Sequence, residues 1–268
     1  MPTLDRLGDR LRSAGARGER LLVLYLTLGD PLADPLGLAV AAVKAGADVI
    51  EVGLPTPRTS PAGADIASSF DRARGCAPDR VWDLVRELRA RLPVTPLLSL
   101  VYPQTVADIG ADWLLGLSAG AGVDGLVLTD PDGALPPARV ASTGLSAIPL
   151  VRADADADRR RRLEEHAGHL TYQALAARTG ARLDPGLAEE AARTAGRPFL
   201  AGFGVRDELD IRAVAPHAAG VVIGSALYRG LASTAPAARM EWAAAAVRRW
   251  KAATVVAPIE PSGSEHAR

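Results

Sequence analysis

Short runs of apolar residues alternate along the chain with longer segments in which apolar residues recur every three or four positions. The short runs are rich in β-branched residues and are bounded by glycine, proline or polar residues, a pattern typical of buried strands. We predict eight strands on this basis, at residues 21–26, 47–52, 96–101, 123–128, 147–151, 170–175, 198–201 and 220–223.

The segments between these runs have helical periodicity, as in residues 81–92 and 106–119, and an alanine-rich helical region extends to about Lys251. Eight strand–helix units with non-alternating strands and short connections predict a closed parallel (β/α)₈ barrel, the TIM barrel of the α/β class. We assign residues 1–253 to this single domain, including a short N-terminal helix that Thr3 can cap. Residues 254–268 are rich in Pro, Ser and Gly, and we expect a flexible tail there.

Composition removes several functional classes. Lys plus Arg and Asp plus Glu both total 31, so the zero net charge gives no electrostatic reason to expect a nucleic-acid or membrane partner. The single Cys76 excludes an internal disulfide and a thiolate metal cluster, and the histidines lack metal-ligand spacing, so we predict no metal. A charged N-terminal segment and the lack of an apolar run of about 18 residues predict a cytoplasmic protein.

Glu51 interrupts an apolar strand near its carboxyl end. A carboxylate is costly to bury unless it is paired or used, and in parallel α/β folds the chemistry is placed at the carboxyl ends of the strands. Glu51 is therefore a candidate functional residue, the alternative being a strand-end carboxylate paired with a neighbouring hydroxyl.

Two glycine-containing turns follow the last two predicted strands, Gly202-Phe203-Gly204 and Gly224-Ser225. Glycines allow backbone N–H groups to approach an anion, and the seventh and eighth βα loops form the usual phosphate site of such barrels. The turns predict phosphate binding, although tight turns alone would also use glycine.

Four motifs resemble the α subunit of tryptophan synthase: YLTLGDP at 25–31, AGADVIEVGLP at 45–55, GFGV at 202–205 and GSA at 224–226. The likeness runs in register from about residue 4 to residue 230. It implies a (β/α)₈ barrel that cleaves indole-3-glycerol phosphate to indole and glyceraldehyde 3-phosphate by a retro-aldol reaction without a cofactor.

The resemblance also implies roles for individual residues. Glu51 would shuttle protons, while glycines and Ser225 would hold the phosphate. The residues expected to bind the substrate are Tyr25, Tyr102, Asp130, Tyr172, Thr179, Gly180, Gly202, Phe203, Gly204, Gly224 and Ser225. The resemblance further implies a possible β-subunit-like partner, which would carry pyridoxal phosphate itself.

The loop after the second strand departs from the family pattern. The family places a second catalytic Asp there, but this chain has Ala62 at that position if one counts from Glu51, or Ser60 if a two-residue deletion is allowed. Asp65 is the nearest carboxylate. It either caps the following helix or replaces the missing Asp.

A second departure is Arg152, which either points into the barrel mouth, points to the helices or pairs with Asp154. Three functions remain open: a lyase of the family type that is slow or altered, a paralogue acting on another phosphorylated substrate, and a catalytically inactive α-like partner protein. One lost acid–base group costs about 10²–10⁴ in rate, so the missing Asp makes the choice important.

Overall fold

The structure, a computed structural model, describes residues 5–59, 63–152, 154–175 and 183–256. Within these ranges eight parallel strands pair in chain order, and the eighth also pairs with the first, so the barrel is closed. The strands are β1 Leu21–Thr27, β2 Val49–Gly53, β3 Leu97–Val101, β4 Gly125–Leu128, β5 Ser146–Arg152, β6 Thr171–Ala174, β7 Phe199–Gly202 and β8 Gly220–Ile223. The predicted TIM barrel is confirmed.

Alternation along each strand divides the core into two layers. In β2, Val49 belongs to the cluster inside the barrel, whereas Ile50 and Val52 belong to the cluster between strands and helices. Most strand residues are buried on both faces of the barrel wall, which explains why the sequence shows continuous apolar runs.

Helices cover the outside of the barrel. Their bounds are α1 Arg6–Ala16, α2 Pro35–Ala45, α3 Ala64–Ala73, α4 Pro78–Arg91, α5 Pro103–Ile109, α6 Ala111–Ala121, α7 Pro137–Ala141, α8 Ala157–Glu165, α9 Pro185–Thr194, α10 Glu208–Val214, α11 Ser225–Ser233 and α12 Arg239–Ala253. The single helix predicted over residues 106–119 is wrong, because Gly110 adopts φ +85° and ψ 140° and separates α5 from α6. In α1 the N-cap is Asp5, which accepts a hydrogen bond from the Gly8 N–H, and Thr3 lies outside the described residues.

The first and last described segments meet at the N-terminal end of the barrel. Val255 forms an antiparallel bridge with Glu19, and the Val256 N–H donates to the Gly18 carbonyl at 2.9 Å. The first residues of the expected tail are thus hydrogen-bonded to the barrel, and the tail from residue 257 lies outside the described residues. None of the described helices is long and apolar enough to cross a membrane.

Candidate active site

Glu51 lies on β2 with its side chain on the interior face of the barrel, where its strand neighbour in the register is Tyr25 of β1. Only 1 % of Glu51 is exposed. Among the described residues, Oε1 of Glu51 has no hydrogen-bond partner. The structure therefore gives no support for the alternative in which this carboxyl is paired with a hydroxyl.

Burial raises the pKa of Glu51 to about 8, well above its ordinary value of 4.5, because the charged form loses its hydration. Three tyrosines, Tyr25, Tyr102 and Tyr172, lie near this carboxyl, and burial raises the pKa of each, with a smaller contribution from Glu51. At neutral pH Glu51 is therefore mainly a protonated acid, and the tyrosine hydroxyls remain protonated.

A cavity of about 390 Å³ opens from Glu51 towards the carboxyl ends of the strands. Its wall is apolar and aromatic with a few polar groups, as is typical of a small-molecule site. The lining residues are Tyr25, Glu51, Gly63, Ala64, Asp65, Ile66, Leu100, Tyr102, Thr129, Leu150, Tyr172, Phe203, Gly204, Val205, Arg206, Val222, Gly224, Ser225 and Arg229.

The two glycine turns form one side of this cavity. Phe203 has φ +62° and Gly204 φ +91°, so the chain bends sharply after β7, and the Phe203 ring packs edge-on against Tyr172 at 5.6 Å between ring centroids. After β8, Gly224 is the N-cap of α11, and Ser225 is the first residue of this helix. The helix N-terminus and the turn after β7 thus border the same space, an arrangement suited to an anion.

The loop after β2 is held against α5. The Arg58 N–H donates to Asp108 at 2.9 Å, the Arg58 guanidinium pairs with the same carboxylate, and the hydroxyls of Thr59 and Thr105 lie 3.0 Å apart. Ser60 and Ala62, the two candidates for the position of the family Asp, lie outside the described residues.

Asp65 is the second residue of α3, and the N-cap of this helix is Gly63, which gives no side-chain cap. Its carboxylate Oδ2 accepts a hydrogen bond from Nη2 of Arg229 at 2.8 Å. Asp65 and Arg229 both line the cavity. The cap interpretation of Asp65 is therefore wrong, and its carboxylate lies at the cavity mouth, paired with Arg229.

Not all the residues predicted from the sequence reach this cavity. Asp130 is exposed and does not line it, because its carboxylate turns over Gly133, while its neighbour Thr129 lines the wall instead. Arg152 pairs with Asp154 at 3.2 Å and is 58 % exposed, so the predicted ion pair is the correct alternative. Thr179 and Gly180 lie outside the described residues.

Gly202 contributes by its lack of a side chain rather than as a lining residue. A Cβ at this position would lie 2.0 Å from the Tyr172 hydroxyl, so glycine is needed for the tyrosine to occupy its place. This contact links the end of β7 to the aromatic wall built by β6.

Sequence reasoning missed several lining residues, including Ile66, Leu150, Arg206 and Arg229. Ile66 and Leu150 carry no polar signal that separates a cavity wall from an ordinary core. Arg229 could have been noticed, because it lies four residues after Ser225 and therefore on the same face of α11.

A family profile described as "Tryptophan synthase alpha chain" matches residues 11–255. A tryptophan synthase alpha chain from Halorhodospira halophila is 35 % identical over 266 residues, which cover 92 % of this chain and 96 % of the relative. The chain belongs to the tryptophan synthase alpha chain family.

Solved structures of the tryptophan synthase family agree with this assignment. The tryptophan synthase alpha chain from Legionella pneumophila has a TM-score of 0.80 at 28 % identity, covering 94 % of this chain and 98 % of that one. A chain of Mycobacterium tuberculosis tryptophan synthase has a TM-score of 0.79 at 26 % identity, with coverage of 94 % and 98 %. The resemblance inferred from the motifs is thus confirmed at the level of family and fold.

Proposed function

We propose that this protein is a carbon–carbon lyase that cleaves indole-3-glycerol phosphate to indole and glyceraldehyde 3-phosphate. The observation that carries the proposal is Glu51, a buried carboxyl with a pKa of about 8, in a cavity that also contains an anion-compatible turn. Membership of the tryptophan synthase alpha chain family supports the same substrate.

The reaction needs one proton added to indole C3 and one removed from the glycerol hydroxyl next to the scissile bond. Protonated Glu51 can donate the first, and the resulting carboxylate can accept the second as the C–C bond breaks and its electrons return to the indole ring. The carboxyl is then restored, and the hydroxyl carbon becomes the aldehyde of the product. A pKa near the working pH suits a group that serves as both acid and base.

The phosphate end of the substrate is assigned to the turns after β7 and β8. Gly204, Gly224 and Ser225 line the cavity there, and the cations Arg206 and Arg229 line it beside them. Backbone N–H groups at a helix start, together with guanidinium groups, favour a phosphate dianion. Thr179 and Gly180 remain predicted contributors.

Replacing Glu51 by Gln tests the proposal directly. Glu51→Gln keeps the shape of the side chain but removes the transferable proton, so we expect indole release to fall by about 10²–10⁴-fold. The measurement is indole formation from indole-3-glycerol phosphate. Glu190→Gln, an exposed substitution on α9, serves as the matched control and is expected to leave the rate unchanged.

Binding separates this proposal from its alternatives. If the wild-type protein binds glycerol phosphate but releases no indole at long times, it is a paralogue with another phosphorylated substrate. If glycerol phosphate fails to raise the melting temperature, the inactive partner protein is the better description.

We also propose a β-subunit-like partner, because the relatives are named as one chain of tryptophan synthase. A groove of about 1060 Å³ beside the loop after β2 contains Leu54, Pro57 and Trp113, and Trp113 is 73 % exposed. We expect the partner to cover this groove and to hold any pyridoxal phosphate. Cytoplasmic location, the single-domain boundary and the lack of a cofactor in this chain remain predictions.

A further inference from the structure

The described wall of the cavity contains two carboxylates, Glu51 at its base and Asp65 at its mouth. The reaction proposed above can use both carboxylates. One transfers protons, and the other can stabilise the positive charge that protonation of indole C3 places on the indole nitrogen. Neither Ser60 nor Ala62 is an acid, so the loop position used by the family cannot supply the second carboxylate.

Asp65 is held by an ion pair that is easily exchanged. Its side chain is 31 % exposed and that of Arg229 is 55 % exposed, with 2.8 Å between Nη2 and Oδ2. Ion pairs with this much solvent contact are weak, since water competes for both charges. A ligand of higher charge can therefore displace one partner.

Arg229 is placed to meet such a ligand. It lies one helical turn after Ser225 on the same face of α11, and side chains of a helix lean back towards its N-terminus. A phosphate at the turn formed by Gly224 and Ser225 would thus lie in the direction in which helical side chains at this position tend to lean. A phosphate dianion is a stronger partner for a guanidinium than a single exposed carboxylate.

We propose that Asp65 is the second catalytic carboxylate and that Arg229 is exchanged between Asp65 and the substrate phosphate. In the empty site Arg229 pairs with Asp65. When a phosphate monoester binds, Arg229 turns to it, and the released Asp65 carboxylate accepts a hydrogen bond from the indole N–H. This inference depends on the proposed function, since it assigns a role in that reaction.

The chemistry of the step balances without a further reagent. The indole nitrogen keeps its proton throughout, and Asp65 stabilises the positive charge that develops while C3 is protonated. Glu51 alone makes the two proton transfers. Binding of phosphate therefore prepares the indole end of the site before the C–C bond breaks.

The test compares Asp65→Asn and Arg229→Gln by calorimetric binding of sn-glycerol 3-phosphate and by indole release. We expect Arg229→Gln to weaken glycerol phosphate binding roughly tenfold or more, because a charge-assisted contact is lost. Asp65→Asn is expected to tighten that binding, because the competitor for Arg229 is gone, yet to lower kcat roughly 10–100-fold. Asp71→Asn and Arg74→Gln break an exposed pair on and just after the same helix and serve as controls.

The two halves of the proposal fail separately. An unchanged kcat in Asp65→Asn, with normal wild-type turnover, would overturn the catalytic role of Asp65 and leave the proposed function intact. Weaker glycerol phosphate binding in Asp65→Asn, or unchanged binding in Arg229→Gln, would overturn the exchange. Absence of wild-type turnover would contradict the proposed function and the role of Asp65 together, while the binding data would still decide the exchange.

Discussion

Burying Glu51 changes the acid–base behaviour of the folded protein as well as the chemistry of its cavity. The cause is loss of hydration, since desolvation is the contribution that raises its pKa from 4.5 to about 8. Arg206 and Arg229 line the same cavity, but neither is among the causes of the Glu51 shift, so no cation offsets the loss of hydration. The same burial that makes Glu51 a useful acid therefore makes the folded state dependent on its proton.

The dependence of stability on pH follows from this residue. Between about pH 4.5 and pH 8 the folded protein keeps the Glu51 proton while the unfolded chain releases it, so the free energy of unfolding falls as pH rises through this window. Gln cannot ionise, so the free energy of unfolding of Glu51→Gln does not fall for this reason. The difference in free energy of unfolding, variant minus wild type, should therefore rise by about 3–5 kcal/mol from pH 5 to pH 8. Urea unfolding of both proteins across this range measures the difference, and parallel curves would contradict the assignment.

Single residues also show where sequence reasoning stops. Glu51, Tyr25, Tyr102 and Tyr172 could be placed at one cavity because strand ends and the resemblance both indicate it. Asp130 could not be placed correctly, because whether its side chain turns inward depends on the turn at Gly133 rather than on its residue type. The position of a side chain beyond the end of a strand is decided by loop geometry, which periodicity does not report.

At the level of elements, the end of β7 and β6 are packed together through the contact between Gly202 and the Tyr172 ring. Gly202→Ala would place a Cβ 2.0 Å from the Tyr172 hydroxyl, so the tyrosine ring or the backbone must shift. We expect a loss of about 1–3 kcal/mol in the free energy of unfolding, together with weaker glycerol phosphate binding.

Gly116→Ala provides the contrast for this prediction, since a Cβ at Gly116 on α6 meets nothing within 4 Å. Replacing this helical glycine by alanine should raise the free energy of unfolding by up to about 1 kcal/mol. Denaturant unfolding of both variants measures the two effects. If the two variants are equally stable, the Tyr172 ring moves away from the new Cβ at position 202 without lowering the free energy of unfolding.

Elements were predicted more reliably than their ends. The strands could be read from apolar runs because both faces are buried, but the break between α5 and α6 could not, since residues on both sides of Gly110 are compatible with helix. The contact between Arg58 and Asp108 could not be predicted from the sequence either, because it joins residues that are 50 positions apart.

At the level of the whole molecule, α12 returns to the beginning of the chain and pairs with carboxylates just before β1 and β2. Nζ of Lys251 lies 2.7 Å from Oδ2 of Asp48 and 2.9 Å from Oε2 of Glu19. The Asp48 side chain is only 4 % exposed, so this carboxylate depends on its cation. The helix thereby joins the first and second strands from outside.

Lys251→Met tests the contribution of these ion pairs to stability. The substitution leaves the buried Asp48 carboxylate with the Leu22 N–H as a hydrogen-bond donor at 2.9 Å and, among the described residues, only Arg10 at 3.8 Å as a cation, and we expect a loss of about 2–4 kcal/mol in the free energy of unfolding. The chain contains two lysines, and Lys44→Met, an exposed change in the last turn of α2, is the matched control. Thermal and urea unfolding measure the effect. If Lys251→Met and Lys44→Met change the free energy of unfolding equally, the ion pairs of Lys251 do not stabilise the fold.

The contact of residues 254–256 with residues 18–20 lies at the N-terminal end of the barrel, and the cavity opens at the other end. A surface, bead or fluorophore attached at Val256 would therefore sit at the end of the barrel opposite the substrate entrance. Immobilising the protein through this position leaves the entrance facing bulk solvent, so single-molecule or flow-cell measurements of turnover can use an anchor at Val256 without obstructing it.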